Sequence, residues 1–292
     1  MSETPGGGRD GTLRLGVAAG GALRWAAVDL TPVVEEARGR LDLSPVAAAA
    51  LGRCLSGAAL LLRLAVKNAA RLVLEVRGDG PLRRVIAEVD EAGNLRGMVG
   101  NPHVDLPPTP AGKLDVGGAV GRGFLRVLRE HDGGSYESQV ALQTGEIGDD
   151  VAHYLEQSEQ TRSVVLLGVL TRPFGIAAAG GMIVEAMPDA PGETIGQLER
   201  NLGGLAGISR ALEEHGLEGV QARVLDGLAA EDREAQPLRY RCRCSRERLR
   251  RHMALLAPED REHLRREDGS IEAECVFCGE VYRFAASDIQ PA

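Results

Sequence analysis

At 292 residues the chain exceeds one typical domain, and a hydrophobic content of 43 % is enough to bury a substantial core and still carry an appended module. A net charge of −8 argues against a protein devoted to a nucleic-acid backbone, because that binding is driven by cations that displace counterions. Lys67 and Lys113 are the only lysines, and the resulting arginine bias fits base composition rather than a demand for guanidinium chemistry.

Met1 to Asp10 is glycine-rich and polar, with no cationic segment leading into an apolar run, so it does not read as a signal peptide. From Ser44 to Lys67 a Ser-Pro start leads into Ala, Leu and Val with few breakers, which predicts a buried helix. Its most apolar part, Gly57 to Val66, is interrupted by Arg63 and is too short to span a bilayer. Cys54 lies inside this helix, where a free cysteine acts as a small core hydrophobe. The simplest expectation is a cytoplasmic protein, in which clustered thiols bind metal or sense oxidants rather than form structural disulfides.

Strands follow. Arg71 to Arg77, Leu82 to Asp90 and Leu95 to Val99 are separated by the turns Gly78 to Pro81 and Glu91 to Asn94, so they predict an antiparallel meander. Beyond a loop with Pro107, Pro108 and Pro110, strand-like runs recur at Ala119 to Leu128 and Tyr136 to Leu142. Asp149 or Asp150 can cap a helix through Glu159. Ser163 to Leu170 and Ile176 to Met187 resume the sheet, with a bulge or bend expected at Gly180-Gly181. The fold class is α+β: an antiparallel-sheet body packed with helices, then a helical linker, then a small C-terminal zinc-binding module.

The predicted domains are a body at 1–190, the linker at 191–238 and the four-cysteine module at 239–292. In the linker Ile195, Leu198, Leu202, Leu205 and Ile208 form a helical stripe, followed by charge-rich Glu213, Glu214, Asp232, Arg233 and Glu234. The plain reading is a docked helix pair. The alternative is a segment with few contacts to hold it once something pulls it off.

Four of the five cysteines lie in the last stretch, as Cys242-Arg-Cys244 and Cys275-Val-Phe-Cys278, with 30 residues between the pairs. Four thiolates can surround one ion tetrahedrally, the arrangement zinc prefers in closed sites, and each pair is also close enough to close on itself as a disulfide. In the second pair the two-residue spacer lets both sulfurs face one ion, and Gly279 supplies a turn position. Strand-like Ser270 to Glu274 and Val281 to Phe284 put this pair at a hairpin tip, unlike the helix N-terminus of a thioredoxin-type motif. The one-residue spacer of the first pair would strain a disulfide, and strained bridges are readily reduced.

Arg241, Arg243, Arg246 and Arg248 beside the first pair would favour thiolate, or are simply a solvated face. From Leu238 onward 11 arginines meet 10 acids, a near-neutral module that makes a poor nucleic-acid grip. His252 and His263 read as surface groups, since four cysteines complete a shell. Neither a nucleophile elbow (Gly207-Ile-Ser-Arg-Ala211) nor a phosphate loop (around Gly112-Lys113) is complete, and no acid/base pair stands out, so the chain does not read as an enzyme.

The cysteine pattern, with Ser245-Arg-Glu-Arg248 after the first pair and Val281-Tyr-Arg-Phe284 after the second, closely resembles the redox-regulated bacterial chaperones of the thirty-three-kilodalton heat-shock family. Gly78-Asp-Gly-Pro81, Asn94-Leu-Arg-Gly97, Gly117 to Gly123, Tyr154 to Gln160 and Gly180-Gly-Met182 are similar to body motifs of that family in the same order. The resemblance implies an ATP-independent holdase for unfolding client proteins, with one zinc ion on Cys242, Cys244, Cys275 and Cys278 in the inactive reduced state. It further implies that oxidation pairs Cys242 with Cys244 and Cys275 with Cys278, releases zinc, and yields an active form that tends to dimerise. The competing readings are a zinc-ribbon nucleic-acid module using Arg241 to Arg251, and a constitutive structural zinc site on an unrelated enzyme.

Overall fold

A computed structural model describes residues 10–64 and 69–289, which fall into two compact units, one ending at Tyr240 and one beginning at Arg241. The readings made for residues 1–9 and for the helix end at 65–67 lie outside the described residues.

The first unit runs β1 (Gly11–Ala18), β2 (Leu23–Asp29), α1 (Thr31–Leu41), α2 (Pro45–Leu64), β3 (Arg71–Gly78), β4 (Arg84–Asp90), β5 (Asn94–Val99), α3 (Val116–Val120), β6 (Gly123–His131), β7 (Gly134–Ala141), α4 (Gly148–Glu159), β8 (Ser163–Arg172), β9 (Gly175–Ala186), α5 (Gly192–Gly203), α6 (Ile208–Val224) and β10 (Glu231–Tyr240). Its ten strands form one sheet in the order β7-β6-β3-β4-β5-β10-β1-β2-β9-β8. All pairings are antiparallel except that of β10 with β5, which is parallel and spans only Arg239↔Asn94 and Tyr240↔Leu95. The fold is therefore α+β, as the grouped strands predict.

Helix α2 is the axis of this unit. Ser44 starts it by accepting from the Ala47 amide, and Ala and Leu then follow with no polar face, so the helix must be enclosed. It packs against β2, β3, β4, β5, β8 and β9, with Leu51, Leu55, Leu60 and Leu61 wholly inaccessible to solvent. Its 20 residues are long and apolar enough to cross a membrane, more than the Gly57 to Val66 stretch alone indicated, but here they are core. Cys54 is buried beside the Leu74 carbonyl, as expected of a core thiol, and burial raises its pKa well above the ordinary range.

A second apolar layer lies on the other face of the half-sheet containing β1, β2, β8 and β9. Leu198 of α5 and Ile208, Leu212, Val220 and Val224 of α6 pack with Leu23, Trp25, Ala27, Met182 and Val184. The predicted stripe is thus docked on the sheet. Of the charged residues after it, Glu213 and Glu214 lie in helix α6 as expected, but Asp232, Arg233 and Glu234 are not helical: Glu231–Tyr240 is a strand, because β1 offers it an edge and backbone pairing overrides a charged composition.

Three further local readings differ from expectation. Ala119 and Val120 belong to α3, whose start is capped by the Asp115 carboxylate accepting from the Gly118 amide, 2.8 Å, and the strand begins only at Gly123. Gly180 and Gly181 keep regular register with β2 and β8; they are glycines because a Cβ would lie 2.1 Å and 2.3 Å from the carbonyls of Val28 and Leu166, and the bulge falls at Leu170/Thr171 instead. Asp150 does cap α4, as expected, but from inside its first turn and out of solvent, its carboxylate accepting from the Ile147 amide at the helix start. It is buried in the first turn, accepting from the amides of Gln143, Thr144 and Ile147.

The second unit contains α7 (Arg246–Ala254), α8 (Pro258–His263) and the antiparallel pair β11 (Ser270–Glu274) and β12 (Val281–Ala285). Among the described residues its buried apolar cluster is Met253, Ile271, Phe284 and Ile289.

Candidate metal centre

Each half of the site is positioned by local backbone chemistry. Between β11 and β12 the Cys275 amide donates to the Glu280 carbonyl, 2.9 Å, while the amides of Cys278 and Gly279 turn back to the Cys275 carbonyl at 3.1 Å and 2.8 Å. Gly279 has φ of 69°, so the glycine expected to ease this turn does so. Both sulfurs of the pair are thereby presented from one hairpin tip, as the flanking strand patterns predict. On the other side Ser245 caps α7, its hydroxyl accepting from the Arg248 amide, 3.2 Å. That cap starts the helix immediately after the irregular segment carrying Cys242 and Cys244. The Arg248 guanidinium also donates to the Arg243 carbonyl, 3.2 Å, which fixes the residue between the two thiols.

The four sulfurs converge. Cys242 Sγ lies 3.6 Å from Cys275 Sγ, Cys244 Sγ lies 3.4 Å from Cys278 Sγ, and all four are within 4.8 Å of one another. A disulfide needs about 2.05 Å, so these are free thiols. Metal–thiolate bonds of about 2.3 Å place the sulfurs of a tetrahedral shell ~3.8 Å apart. The donor set and its spacing therefore fit a thiophilic metal ion held by Cys242, Cys244, Cys275 and Cys278.

The thiols are not equivalent. Burial pushes the Cys275 thiol up to about 11 and raises Cys278 further. Burial opposes ionisation of Cys242 too, but the Cys244 amide and the thiols of Cys244, Cys278 and Cys275 outweigh it, so Cys242 titrates below the ordinary thiol range. The strongest lowering thus comes from inside the cluster rather than from the neighbouring arginines singled out in the sequence. Of those, Arg246 lies over the Phe284 ring, 4.5 Å to its centroid, and pairs with Asp288.

His252 on α7 and His263 at the end of α8 are exposed and outside the cluster, in line with their reading as surface groups. Sequence reasoning missed Tyr282, whose hydroxyl is 3.2 Å from Cys244 Sγ. Strand alternation was the available signal, because it puts Tyr282 on the same face of β12 as the buried Phe284, two residues on.

The sequence model of the family described as Hsp33 protein matches residues 11–285, spanning both the sheet unit and the four thiols. This chain belongs to the Hsp33 family. It is 44 % identical to the 33 kDa chaperonin of Thermus thermophilus, covering 96 % of this chain and 86 % of that one, and 44 % identical to the 33 kDa chaperonin of Symbiobacterium thermophilum, covering 94 % of each. The crystal structure of the 33 kDa chaperonin, a heat shock protein 33 homologue from Thermotoga maritima, superposes with a TM-score of 0.88 at 34 % identity, over 95 % of this chain and 96 % of that chain. As an Hsp33 family member the chain is a chaperone and not an enzyme.

Proposed function

We propose that this Hsp33 chain is a redox-regulated, ATP-independent holdase that binds unfolding proteins and prevents their aggregation under oxidative stress. In the reduced state Cys242, Cys244, Cys275 and Cys278 hold one zinc ion as thiolates, and the holdase is silent. The domains act as a chaperone body at 1–190, a linker at 191–238 and a switch at 239–292. The setting is cytoplasmic, where thiols stay reduced until oxidant arrives.

On oxidation by a peroxide, Cys242 joins Cys244 and Cys275 joins Cys278. In each pair two thiolates give two electrons to one peroxide: the S–S bond forms, the O–O bond breaks, and two protons are taken up to leave two waters. Disulfide sulfurs no longer serve as thiolate ligands, so zinc leaves. Metal coordination in a small module is worth about 10–16 kcal/mol of folding free energy, so its loss melts the switch. The linker helices then loosen and expose the apolar layer around Trp25, Met182 and Val184 to clients, and the oxidised chain dimerises.

The observation that carries this reading is the contrast within the second unit: four sulfurs within 4.8 Å of one another in a unit whose buried apolar cluster is, among the described residues, Met253, Ile271, Phe284 and Ile289. The nucleic-acid alternative has less support, since Arg246, Arg250, Arg265 and Arg266 already pair with carboxylates. The test is an oxidant titration that follows zinc release and suppression of aggregation of a heat-unfolding protein in the same samples. The two should rise together to about one zinc per chain. Zinc retained in a fully suppressing sample, or released without any suppression, would overturn the reading.

A further inference from the structure

The strand that leads into the switch is held less firmly than its place in the middle of a ten-stranded sheet suggests. Side chains Glu231 to Ala235 of β10 are all exposed. Its pairing with β1 is interrupted by a bulge between Leu15 and Gly16, Pro237 brings no amide to the ladder, and its pairing with β5 covers two residues. The ion pairs Arg14–Asp232 and Arg63–Glu234 are partly solvated and contribute little. What anchors β10 is its end: Leu238 and Tyr240 are buried in the main core, and the Tyr240 hydroxyl donates to the Gly97 carbonyl, 3.1 Å. These two anchors stand four and two residues before Cys242, so melting of the switch begins next to them in the chain.

Release of β10 would leave β1 paired on one side by β2 and open on the other along Gly11 to Val17, with the slots of Leu238 and Tyr240 vacant beside it. An open edge next to apolar slots spaced two residues apart is a template for strand addition. Its natural occupant is an extended segment with large apolar side chains at alternate positions, as exposed by an unfolding sheet protein. We propose that β10 is a displaceable strand, and that in the activated protein the edge of β1 takes an extended client segment in its place. This rests on the holdase reading and adds to it a binding mode by backbone pairing.

Hydrogen exchange of the full chain, reduced, oxidised, and oxidised with heat-unfolding malate dehydrogenase, tests it, with aggregation suppression measured on the same samples. Oxidation should speed exchange of β10 and of the β1 amides facing it at least tenfold. Added malate dehydrogenase should slow β1 again while β10 stays fast. An oxidised sample that suppresses aggregation yet keeps β1 and β10 as slow as in the reduced protein overturns the proposal and leaves the holdase reading standing, as does a β1 that stays fast with client bound. An oxidised sample that does not suppress aggregation overturns both. A second arm replaces the facing residues, Arg14→Cys with Ala235→Cys, so that the oxidant itself bridges β1 to β10. With the bridge verified by mass, zinc should still be released but suppression should fall at least tenfold; undiminished suppression would overturn strand replacement.

Discussion

The sheet unit and the cysteine unit of this chain hold their order in different ways. The first packs a 20-residue apolar helix against β2, β3, β4, β5, β8 and β9 of its sheet and covers a further face with α5 and α6. The second buries Met253, Ile271, Phe284 and Ile289 and gathers four sulfurs beside them. Hydrophobic burial is indifferent to oxidants, whereas a thiol cluster answers to them directly. Placing the two in one chain would let a chemical event in the small unit change its order while the core around α2 persists.

The largest expected effect separates the two units. Cys275→Ser should abolish stoichiometric zinc binding and remove amide protection throughout β11 and β12, while protection in α2 stays within twofold of the parent; hydrogen exchange with metal analysis reads both. Equal loss of protection in both units would break the comparison. The converse change, Leu55→Ala at the centre of α2, should destabilise the body by about 2–5 kcal/mol in denaturant unfolding, with zinc content unchanged.

A smaller effect concerns charge on the body. Burial pushes the Glu88 carboxyl up, but Arg96 and Arg71 outweigh it, so Glu88 titrates below its ordinary 4.5. Its contribution is therefore fully present above that value and is lost as pH falls through the lowered folded one. Glu88→Gln should cost about 1.5–3 kcal/mol at neutral pH and less in acid, so that the two stability curves converge as pH falls through the lowered folded value of Glu88. Parallel curves would show that Glu88 contributes through packing rather than charge.

Much of the site was legible because its chemistry is local. A Cys-x-x-Cys-Gly turn between two strand-like runs needs only its own backbone bonds and one positive φ, and the structure contains both. The hairpins from β3 to β5 were legible for the same reason, since turn residues and alternation lie next to each other. Asp150 was not, because three amides arriving from a preceding loop turn a surface-type carboxylate into a buried acceptor. Tyr282 was hidden by its ordinary place in a strand; only the fold brings its hydroxyl to Cys244.

The sequence by itself determined the fold class, the buried helix, the apolar stripe of the linker and the four thiols, because each depends on residues close in the chain or on one unbroken pattern. Tertiary structure alone decided that the charged run Glu231–Tyr240 becomes a strand between β1 and β5, and how two thiol pairs with 30 intervening residues meet within 4.8 Å. The physical reason is common to both: an edge looking for backbone partners and a metal-ligand shell are satisfied by groups that distant segments supply, and no local propensity encodes which segments those will be.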